Sequence, residues 1–422
     1  MSTTTTPALT DEEHPHVPTP QPRELGAAVS DYIARVRGGD VGSLPAILGL
    51  VVLFIVFSIL RPSTFTNAFN VANLVNQAAA VIVIAMGVVF VLLLGEIDLS
   101  AGWTAGVSAA IMGVTATRQG WPWWVAVLCC IATGAVIGTT IGLLVARLGI
   151  PSFVVTLAAF LALQGLLLKI IGEGGTIAIR ASKLLAINNN TLPVWLGWVM
   201  TAIIVALYAL VSLRKAAARR AEGLQSEGIS VVIAKVVVLA VVLAAITAYL
   251  STERSRNPLV SSIKGVPEVV VLLVVLLVGS TFVLARIPFG RHVYAVGGNA
   301  EAARRAGINL SRIRVLAFVL TGLTAGIMGI IFASELGSVS SNVNGGQNVL
   351  YAVAAAVIGG VSLFGGRGKM LGAVLGGLIV AVIYNGLQLL GLGAAPQAIW
   401  TAIVLLAAVT VDTVARRSQT RT

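Results

Sequence analysis

The 422-residue chain is poor in the residue types that most soluble enzymes use for chemistry. Only 10% of its residues are charged, whereas a soluble domain is about one quarter charged, so this composition excludes an ordinary soluble domain. The adjacent Cys129 and Cys130 lie inside an apolar stretch, where packing is a better interpretation than a disulfide or a metal pair. The three histidines, His14, His16 and His292, are too scattered for a metal site or a Ser/His/Asp cluster. Neither a metal nor a cofactor is predicted.

A nucleotide-binding P-loop is also missing. The nearest segment, Gly365–Met370, lacks a glycine at the required offset and a hydroxyl residue after Lys369. Glu96 and Asp98 form the one close carboxylate pair near a predicted membrane boundary, which is weak support for an integral-membrane transferase. Acidic residues and histidines are absent from the middle of the apolar stretches, which disfavours the main alternative, a stand-alone secondary sugar transporter. Energy for any transport is therefore expected from outside this polypeptide.

Long apolar stretches dominate the sequence. Hydrophobic residues make up 57% of the chain, and the mean hydropathy is +0.96. These values predict an all-α, polytopic integral membrane protein with about 10–12 transmembrane helices. The predicted spans are 44–60, 79–94, 101–117, 122–147, 153–171, 194–213, 231–250, 268–285, 313–334, 349–364, 370–391 and 396–412. The two shortest, 101–117 and 349–364, are alternatively re-entrant.

The basic residues indicate the orientation. With the amino terminus in the cytoplasm, most of the 28 lysines and arginines fall on the cytoplasmic side of the predicted spans. The net charge of +12 is therefore assigned to membrane topology and to contact with membrane lipid, and no nucleic-acid partner is predicted. Residues 1–43 are expected to form an uncleaved cytoplasmic tail, 44–412 the transmembrane domain, and 413–422 a cytoplasmic tail.

A short polar helix is predicted between the eighth and ninth spans, within a cytoplasmic loop at about 286–312. Asn299 is a good N-cap, and Gly307 supplies a left-handed residue that ends a helix. Glu301 lies near the positive end of this helix, and Arg304 and Arg305 lie near its negative end. An ordered, charged helix indicates a docking surface, and the alternative is a solvated loop that happens to be helical.

Two segments carry a family resemblance. Gly95–Gly102, read as Gly-Glu-Ile-Asp-Leu-Ser-Ala-Gly, resembles the segment after an early span in sugar permeases of bacterial ATP-binding-cassette importers. Gly297–Ile308 resembles the loop by which those permeases contact their ATPase subunits, and Leu310–Arg314 and Gly359–Gly366 also fit. The Ile-Asp-Leu-Ser sequence favours the ribose/xylose-type branch over the branched-chain amino acid branch. Ribose-type members are shorter, and the extra material here lies near 214–265.

The resemblance implies the partners and the cargo. It implies two permease chains in a homodimer, two cytoplasmic ATPase subunits, and an extracytoplasmic sugar-binding protein at a bacterial inner membrane. The chain itself is then a transport subunit rather than an enzyme, and ATP hydrolysis takes place on the ATPase partner. A monosaccharide is the expected cargo, with a xylose-type pentose favoured. The candidates for ATPase coupling are Gly298, Asn299, Glu301, Arg304, Arg305 and Gly307, with Gly298 and Gly307 expected to be needed for the turns.

Two further sets of candidates remain open. The motif residues Gly95, Glu96, Asp98, Ser100 and Gly102 either position the cytoplasmic mouth of the pathway or include a simple N-cap, at Asp98 or Ser100, for the next span. Asn73, Asn76 and Gln77 are predicted to precede the second span. The residues considered for a sugar pathway, or alternatively for hydrogen bonds between helices, are Gln164, Asn344, Gln347, Asn348, Tyr351, Asn385 and Gln388.

Overall fold

The computed structural model describes residues 44–224, 228–255, 262–393 and 395–403, together with 406, 407 and 410. The predicted tails, 1–43 and 413–422, and part of the last predicted span lie outside the described residues. The helices are α1 (Leu44–Leu60), α2 (Ala68–Leu92), α3 (Ala101–Gly113), α4 (Trp123–Leu148), α5 (Ser152–Ile171), α6 (Ser182–Asn189), α7 (Val194–Ala221), α8 (Ile229–Leu250), α9 (Val269–Arg286), α10 (Pro288–Gly298), α11 (Ala300–Arg305), α12 (Leu310–Leu336), α13 (Gly345–Ile358) and α14 (Met370–Leu389). Two short strands are β1 (Thr176–Ala178) and β2 (Ser338–Ser340).

The predicted all-helical membrane class is confirmed. Within the described residues, eight helices are long and apolar enough to cross a membrane, namely α2, α4, α5, α7, α8, α9, α12 and α14. The helices α1 and α13 are apolar but shorter, and α3 continues into a π-helical turn at Val114–Arg118.

The prediction for the start of the second span is wrong. The helix α2 begins at Ala68, where the Asn67 side chain accepts a hydrogen bond of 2.9 Å from the Phe69 N–H and so caps the first turn. Asn73, Asn76 and Gln77 therefore lie inside α2 rather than before it. The error arises because an apolar stretch begins only where hydrophobic residues become continuous, whereas a helix begins where its free N–H groups are satisfied.

The core of the larger structural unit is built around α2 and α12. Residues 78–93 of α2 and of the turn after it are almost completely buried, with Val81 partly exposed. Thr321 of α12 donates a hydrogen bond of 2.9 Å to the Gly87 carbonyl of α2. On another face of α12, Gly322 packs against the backbone of Gly134 and Gly138 in α4, an approach that a Cβ at any of the three positions would obstruct. Small residues spaced four apart allow this contact between helix backbones in lipid.

The chain divides into two compact units. Of the described residues, the smaller unit holds those within Val199–Ala245, which form most of α7 and α8. The larger unit holds the other described residues, and it contains every site described below.

The carboxyl-terminal end of α12 is covered by two short strands and a short helix that were not predicted from the sequence. The strands β1 and β2 pair antiparallel, with Ile177 opposite Val339. The short helix α6 packs on the same end, where the Asn188 N–H donates a hydrogen bond of 3.0 Å to the Ser334 hydroxyl. Ser334 in turn donates to the Leu185 carbonyl at 3.0 Å, so α6 is fixed to the last turns of α12.

Candidate functional site

The predicted polar helix is present as α11, at the end of the larger unit where α12 begins. Its N-cap is Asn299, whose side chain accepts a hydrogen bond of 2.9 Å from the Ala302 N–H. The chain ends α11 with the Gly307 N–H donating to the Arg304 carbonyl at 3.0 Å and the Ile308 N–H donating to the Ala303 carbonyl at 3.1 Å. This pair of bonds is a Schellman motif, and Gly307 has the left-handed φ of +83° that the motif requires. Both predicted caps are confirmed.

The charged face of α11 is exposed and internally paired. Glu301 forms ion pairs with Arg304 and, at 3.2 Å, with Arg305 Nε, and the side chains of these residues are 51%, 68% and 80% exposed. The one residue of α11 that is buried is Ala303. Two small residues, Ala303 and the partly buried Ala300, therefore hold α11 against the core, and its charged side chains remain exposed to a partner.

The closest backbone contact between this segment and the end of α2 is made by Gly297, the next-to-last residue of α10. A Cβ at Gly297 would overlap the Leu93 carbonyl oxygen at the end of α2 and would lie 2.7 Å from the Gly366 nitrogen. The predicted conformational need for Gly298 is not found, because its φ is not left-handed and no heavy atom lies within 4 Å of its Cβ position. The requirement for glycine therefore falls one residue earlier than predicted.

The loop between α13 and α14 completes this junction. The Gly366 N–H donates a hydrogen bond of 2.8 Å to the Leu93 carbonyl, and the Tyr294 hydroxyl of α10 donates a bond of 2.8 Å to the Gly368 carbonyl. The structure thus brings Leu93, Gly297 and Gly366 together, although the sequence analysis treated their three segments separately. We refer to these three residues as the backbone junction.

The Gly95–Gly102 motif begins directly beside the backbone junction. Gly95 has a left-handed φ of +75°, which turns the chain after α2. The Ile97 N–H donates to the Ser152 hydroxyl, and the Thr156 hydroxyl donates to the Ile97 carbonyl, both at 3.2 Å. The motif is therefore fixed to the first turns of α5.

Asp98 is buried, and its carboxylate accepts hydrogen bonds from the residue just before α3. Its Oδ1 accepts from the Ser100 N–H at 2.9 Å and from the Ser100 hydroxyl at 2.6 Å, whereas the Ser100 side chain makes no capping bond to α3. The capping interpretation therefore has a structural basis at Asp98 and none at Ser100. Gly102 lies where α3 meets α13, since a Cβ there would overlap the Gly345 carbonyl.

Glu96 has a partner that sequence reasoning missed. Its Oε1 lies 3.0 Å from Arg314 Nε in the second turn of α12, and the two side chains are 15% and 31% exposed. From the sequence, Arg314 was noted as one of the basic residues on the predicted cytoplasmic side and as the last residue of the Leu310–Arg314 segment that fits the family resemblance. No local spacing signal relates it to Glu96, because the two residues lie on different elements and are distant in sequence.

The residues predicted for a sugar pathway divide into several groups. In α13, the Gln347 side-chain nitrogen lies 2.6 Å from the Tyr351 hydroxyl, and Asn348 lies between them in sequence. Asn344 is exposed just before α13, and Gln164 is half-buried in α5. Gln388 lies 3.4 Å from the Tyr384 hydroxyl in α14 and is exposed.

Asn385 instead belongs to a buried amide cluster between α14 and α2. Its side chain and that of Asn70 donate to each other, at 2.9 and 3.0 Å. The Asn385 side-chain Nδ2 also donates a hydrogen bond of 3.3 Å to the Gln77 side-chain oxygen Oε1. For Asn385 the structure shows the predicted alternative, a hydrogen bond between helices, and it adds Asn70, which the sequence analysis did not single out.

Known proteins resemble the chain over most of its length. Residues 70–411 match the model of a family described as branched-chain amino acid transport system / permease component. The chain is 35% identical over 398 residues to the xylose transport system permease protein XylH of Escherichia coli K12, covering 94% of this chain and 98% of that protein. The ribose import permease protein RbsC of the same organism is 29% identical over 371 residues, 87% and 92% of the two chains. The fructose import permease protein FrcC of Rhizobium meliloti is 31% identical over 377 residues, 88% and 86% of the two chains. No solved structure matches the chain.

In the part of the chain that the structure describes, eight long apolar helices and the exposed, charged helix α11 between α9 and α12 are consistent with a multi-pass membrane permease. The chain belongs to the permease-component family that matches residues 70–411, and within it to the sugar permeases of ATP-binding-cassette importers. The resemblance to the ribose/xylose branch is thereby confirmed. These relatives are transport subunits, and they give no support to the alternative of a stand-alone secondary transporter.

Proposed function

We propose that the chain carries D-xylose or a related pentose across the inner membrane, driven by ATP hydrolysis on a separate cytoplasmic ATPase to which α11 docks. The identity of 35% to a xylose permease and 29% to a ribose permease supports a pentose, since xylose and ribose are both five-carbon sugars. The complete machine comprises two copies of this chain, two ATPase subunits and an extracytoplasmic sugar-binding protein.

The observation that carries the coupling role is the backbone junction. The exposed helix α11 follows directly after α10, and α10 contacts the end of α2, the most buried of the eight candidate membrane spans, through Gly297 and Leu93. A displacement of α11 by a closing pair of ATPase subunits is therefore passed to α2 and to the loop before α14. Rigid movement of helix groups then alternates the access of the pathway.

The orientation of the chain follows from the same segment. Arg286, Arg291 and Arg312 flank α10 and α11 or lie within them, and α11 itself carries Arg304 and Arg305. Basic residues concentrate on the cytoplasmic side of inserted proteins. We therefore place α11 and both termini in the cytoplasm. The end of α12 that is closed by β1, β2 and α6 then faces the binding protein.

Purification of the tagged chain in mild detergent from its host tests the docking role. The variant Glu301→Lys with Arg304→Glu keeps an ion pair within α11 and leaves its net charge unchanged, so the helix is retained while its charge pattern is inverted. A matched control is Arg219→Glu with Glu222→Lys, an exposed swap at the end of α7. We expect an ATPase subunit to co-purify with wild type and with the control but not with the α11 variant.

The reconstituted complex in proteoliposomes then tests the cargo. ATP-dependent uptake of D-xylose in preference to D-ribose and D-fructose is expected. A chain that purifies alone and transports sugar down an ion gradient would overturn the proposal, and equal recovery of the ATPase by both charge-swap variants would remove α11 as its docking surface.

A further inference from the structure

An aromatic pair, one ring buried and the other partly buried, lies where α3, α5 and α13 meet, away from the backbone junction. Trp103 of α3 and Phe160 of α5 are arranged edge to face, with ring centroids 5.7 Å apart and an interplanar angle of 82°. The start of α13 closes on them, because a Cβ at Gly345 would lie 2.6 Å from Trp103 Cδ2 and one at Gly346 would lie 2.9 Å from Phe160 Cζ. The Trp103 side chain is only 7% exposed.

Two hydrogen-bond donors at this meeting point lack acceptors. Among the described residues, neither the Trp103 indole Nε1 nor the Asn348 side-chain Nδ2 has a hydrogen-bond partner, and both atoms are buried. Asn348 lies one turn after Gly345 in α13, the glycine that contacts the Trp103 ring. A Cβ at Gly102, the residue before Trp103, would lie 3.2 Å from the nitrogen of Val349, the residue after Asn348. The residues that bear the two donors, Trp103 and Asn348, therefore each lie next in sequence to a residue at the contact between α3 and α13.

Unpaired donors in an apolar interior are costly, so two of them on helices that pack together require an explanation. A bound molecule that satisfies them must supply acceptor oxygens. The three segments around the pair, Ala101–Gly113, 154–168 and Gly345–Ile358, contain no Asp, Glu, Lys or Arg, so the molecule is neutral. The aromatic rings favour one with an apolar C–H face. A neutral pyranose has both properties, since its ring carbons form apolar faces and its hydroxyls and ring oxygen accept hydrogen bonds.

We propose that Trp103 Nε1 and Asn348 Nδ2 donate hydrogen bonds to two oxygens of the transported sugar as it passes between α3, α5 and α13. In this inference, which rests on the proposed sugar transport, the Trp103–Phe160 pair packs against the C–H face of the sugar. Trp103 and Asn348 are then specificity-determining residues of the permease itself, acting after the binding protein has released its cargo.

The test uses the complete transporter in proteoliposomes with its ATPase and its binding protein. Initial uptake is measured for D-xylose, its four monodeoxy analogues and 5-thio-D-xylose, a panel that changes each oxygen in turn. Trp103→Phe removes the indole N–H and keeps a ring, and Asn348→Leu removes the amide at similar volume. The matched controls are Trp195→Phe, at a tryptophan that is 64% exposed, and Asn342→Leu, at an exposed asparagine.

Each of the two variants is expected to lower D-xylose uptake efficiency about three- to tenfold, the worth of one hydrogen bond, while the controls stay near wild type. The loss should vanish for the one analogue that lacks the contacted oxygen, and that analogue should differ between the two variants. The binding protein also prefers some of these sugars over others. This preference cancels when the uptake of each sugar by a variant is divided by the uptake of the same sugar by the wild type.

Three other outcomes count against the inference, and they separate it from the proposed function. Equal losses for all six sugars would assign both residues to packing and refute the subsite alone. Unchanged uptake of D-xylose by both variants would also refute the subsite alone. A wild-type complex that takes up no sugar with ATP would refute the proposed function and the subsite together. Binding-protein-stimulated ATPase activity identifies any variant that has not folded, and the other variant then decides the question.

Discussion

Glu96 and Arg314 lie 3.0 Å apart and connect the turn after α2 to the second turn of α12, next to the backbone junction. The pair joins two helices whose apolar spans are mostly buried inside the protein. It is partly buried, so its attraction is less screened by water and salt than that of the exposed pairs on α11.

The Glu96–Arg314 pair predicts a rescue by charge reversal. Glu96→Gln and Arg314→Gln should each lower the stability of the purified chain, and the coupling energy between them should be about 1 kcal/mol. The reversed pair, Glu96→Arg with Arg314→Glu, should recover part of the loss. Thermal unfolding in detergent measures the stability. Strictly additive single substitutions would show that the two side chains do not interact.

Gly297 and Gly298 offer a matched pair of substitutions in adjacent positions. Gly297→Ala places a methyl group against the Leu93 carbonyl, and this overpacking should cost about 1–3 kcal/mol of stability or displace α10 from α2. Gly298→Ala places the same group in open space and should be tolerated. Binding-protein-stimulated ATPase activity of the reconstituted complex is the measurement, and we expect it to fall only for Gly297→Ala. Equal activities would mean that the backbone junction does not transmit motion.

The buried Asn70–Asn385 cluster predicts non-additive substitutions. Asn385→Leu leaves the Asn70 and Gln77 side chains without their partner and should destabilise the chain by about 1–3 kcal/mol. Adding Asn70→Leu should cost less than the two single losses combined, because the pair is then replaced by apolar groups of similar size. The free energies of unfolding of the wild type, the two single variants and the double variant complete a double-mutant cycle. A double variant as unstable as the sum of both singles would contradict this account.

The loop between α8 and α9 should respond to acid through Glu253. The Ser262 hydroxyl, at 2.6 Å, and the N–H groups of Ser255, Ile263 and Arg254 donate to this carboxylate and lower its pKa from 4.5 to about 2. Because the folded pKa is the lower one, the stabilisation is fully present above pH 4.5 and is lost as the pH falls toward 2. Hydrogen exchange of the described loop residues should therefore accelerate over that interval relative to Glu253→Gln. A constant ratio between the two proteins would show that Glu253 does not hold this loop.

Sequence reasoning worked where the interactions are local. The caps of α11 were predictable because Asn299 and Gly307 act on N–H and carbonyl groups at most five residues away. The apolar spans were predictable because hydropathy over about 20 residues decides insertion into a bilayer. The need for glycine was assigned to Gly298 rather than Gly297 because both residues fit a turn, and only the packing against Leu93 separates them.

Contacts between distant segments were not predictable from a single sequence. Asn70 and Asn385 are 315 positions apart, and no spacing rule relates them. Trp103 resembles many other apolar residues in a glycine-rich helix until Phe160 and Gly345 are placed against it. The start of α2 was missed for a different reason, since asparagine and glutamine side chains interrupt the apolar residues of its first turns and only the cap at Asn67 marks the boundary.

The backbone junction also has a mechanical consequence. At this junction the Gly297 main chain packs directly on the Leu93 carbonyl, whereas nearer the start of α10 the Phe289 ring lies 6.3 Å from the Phe90 ring of α2. A side chain at a contact can change rotamer and absorb part of a displacement, whereas two main chains in direct contact have no such slack. If α11 moves as proposed above, its displacement would pass to Leu93 through main-chain contact, and the length of that movement would be set by the rigid helices rather than by the chemistry of the residues that touch.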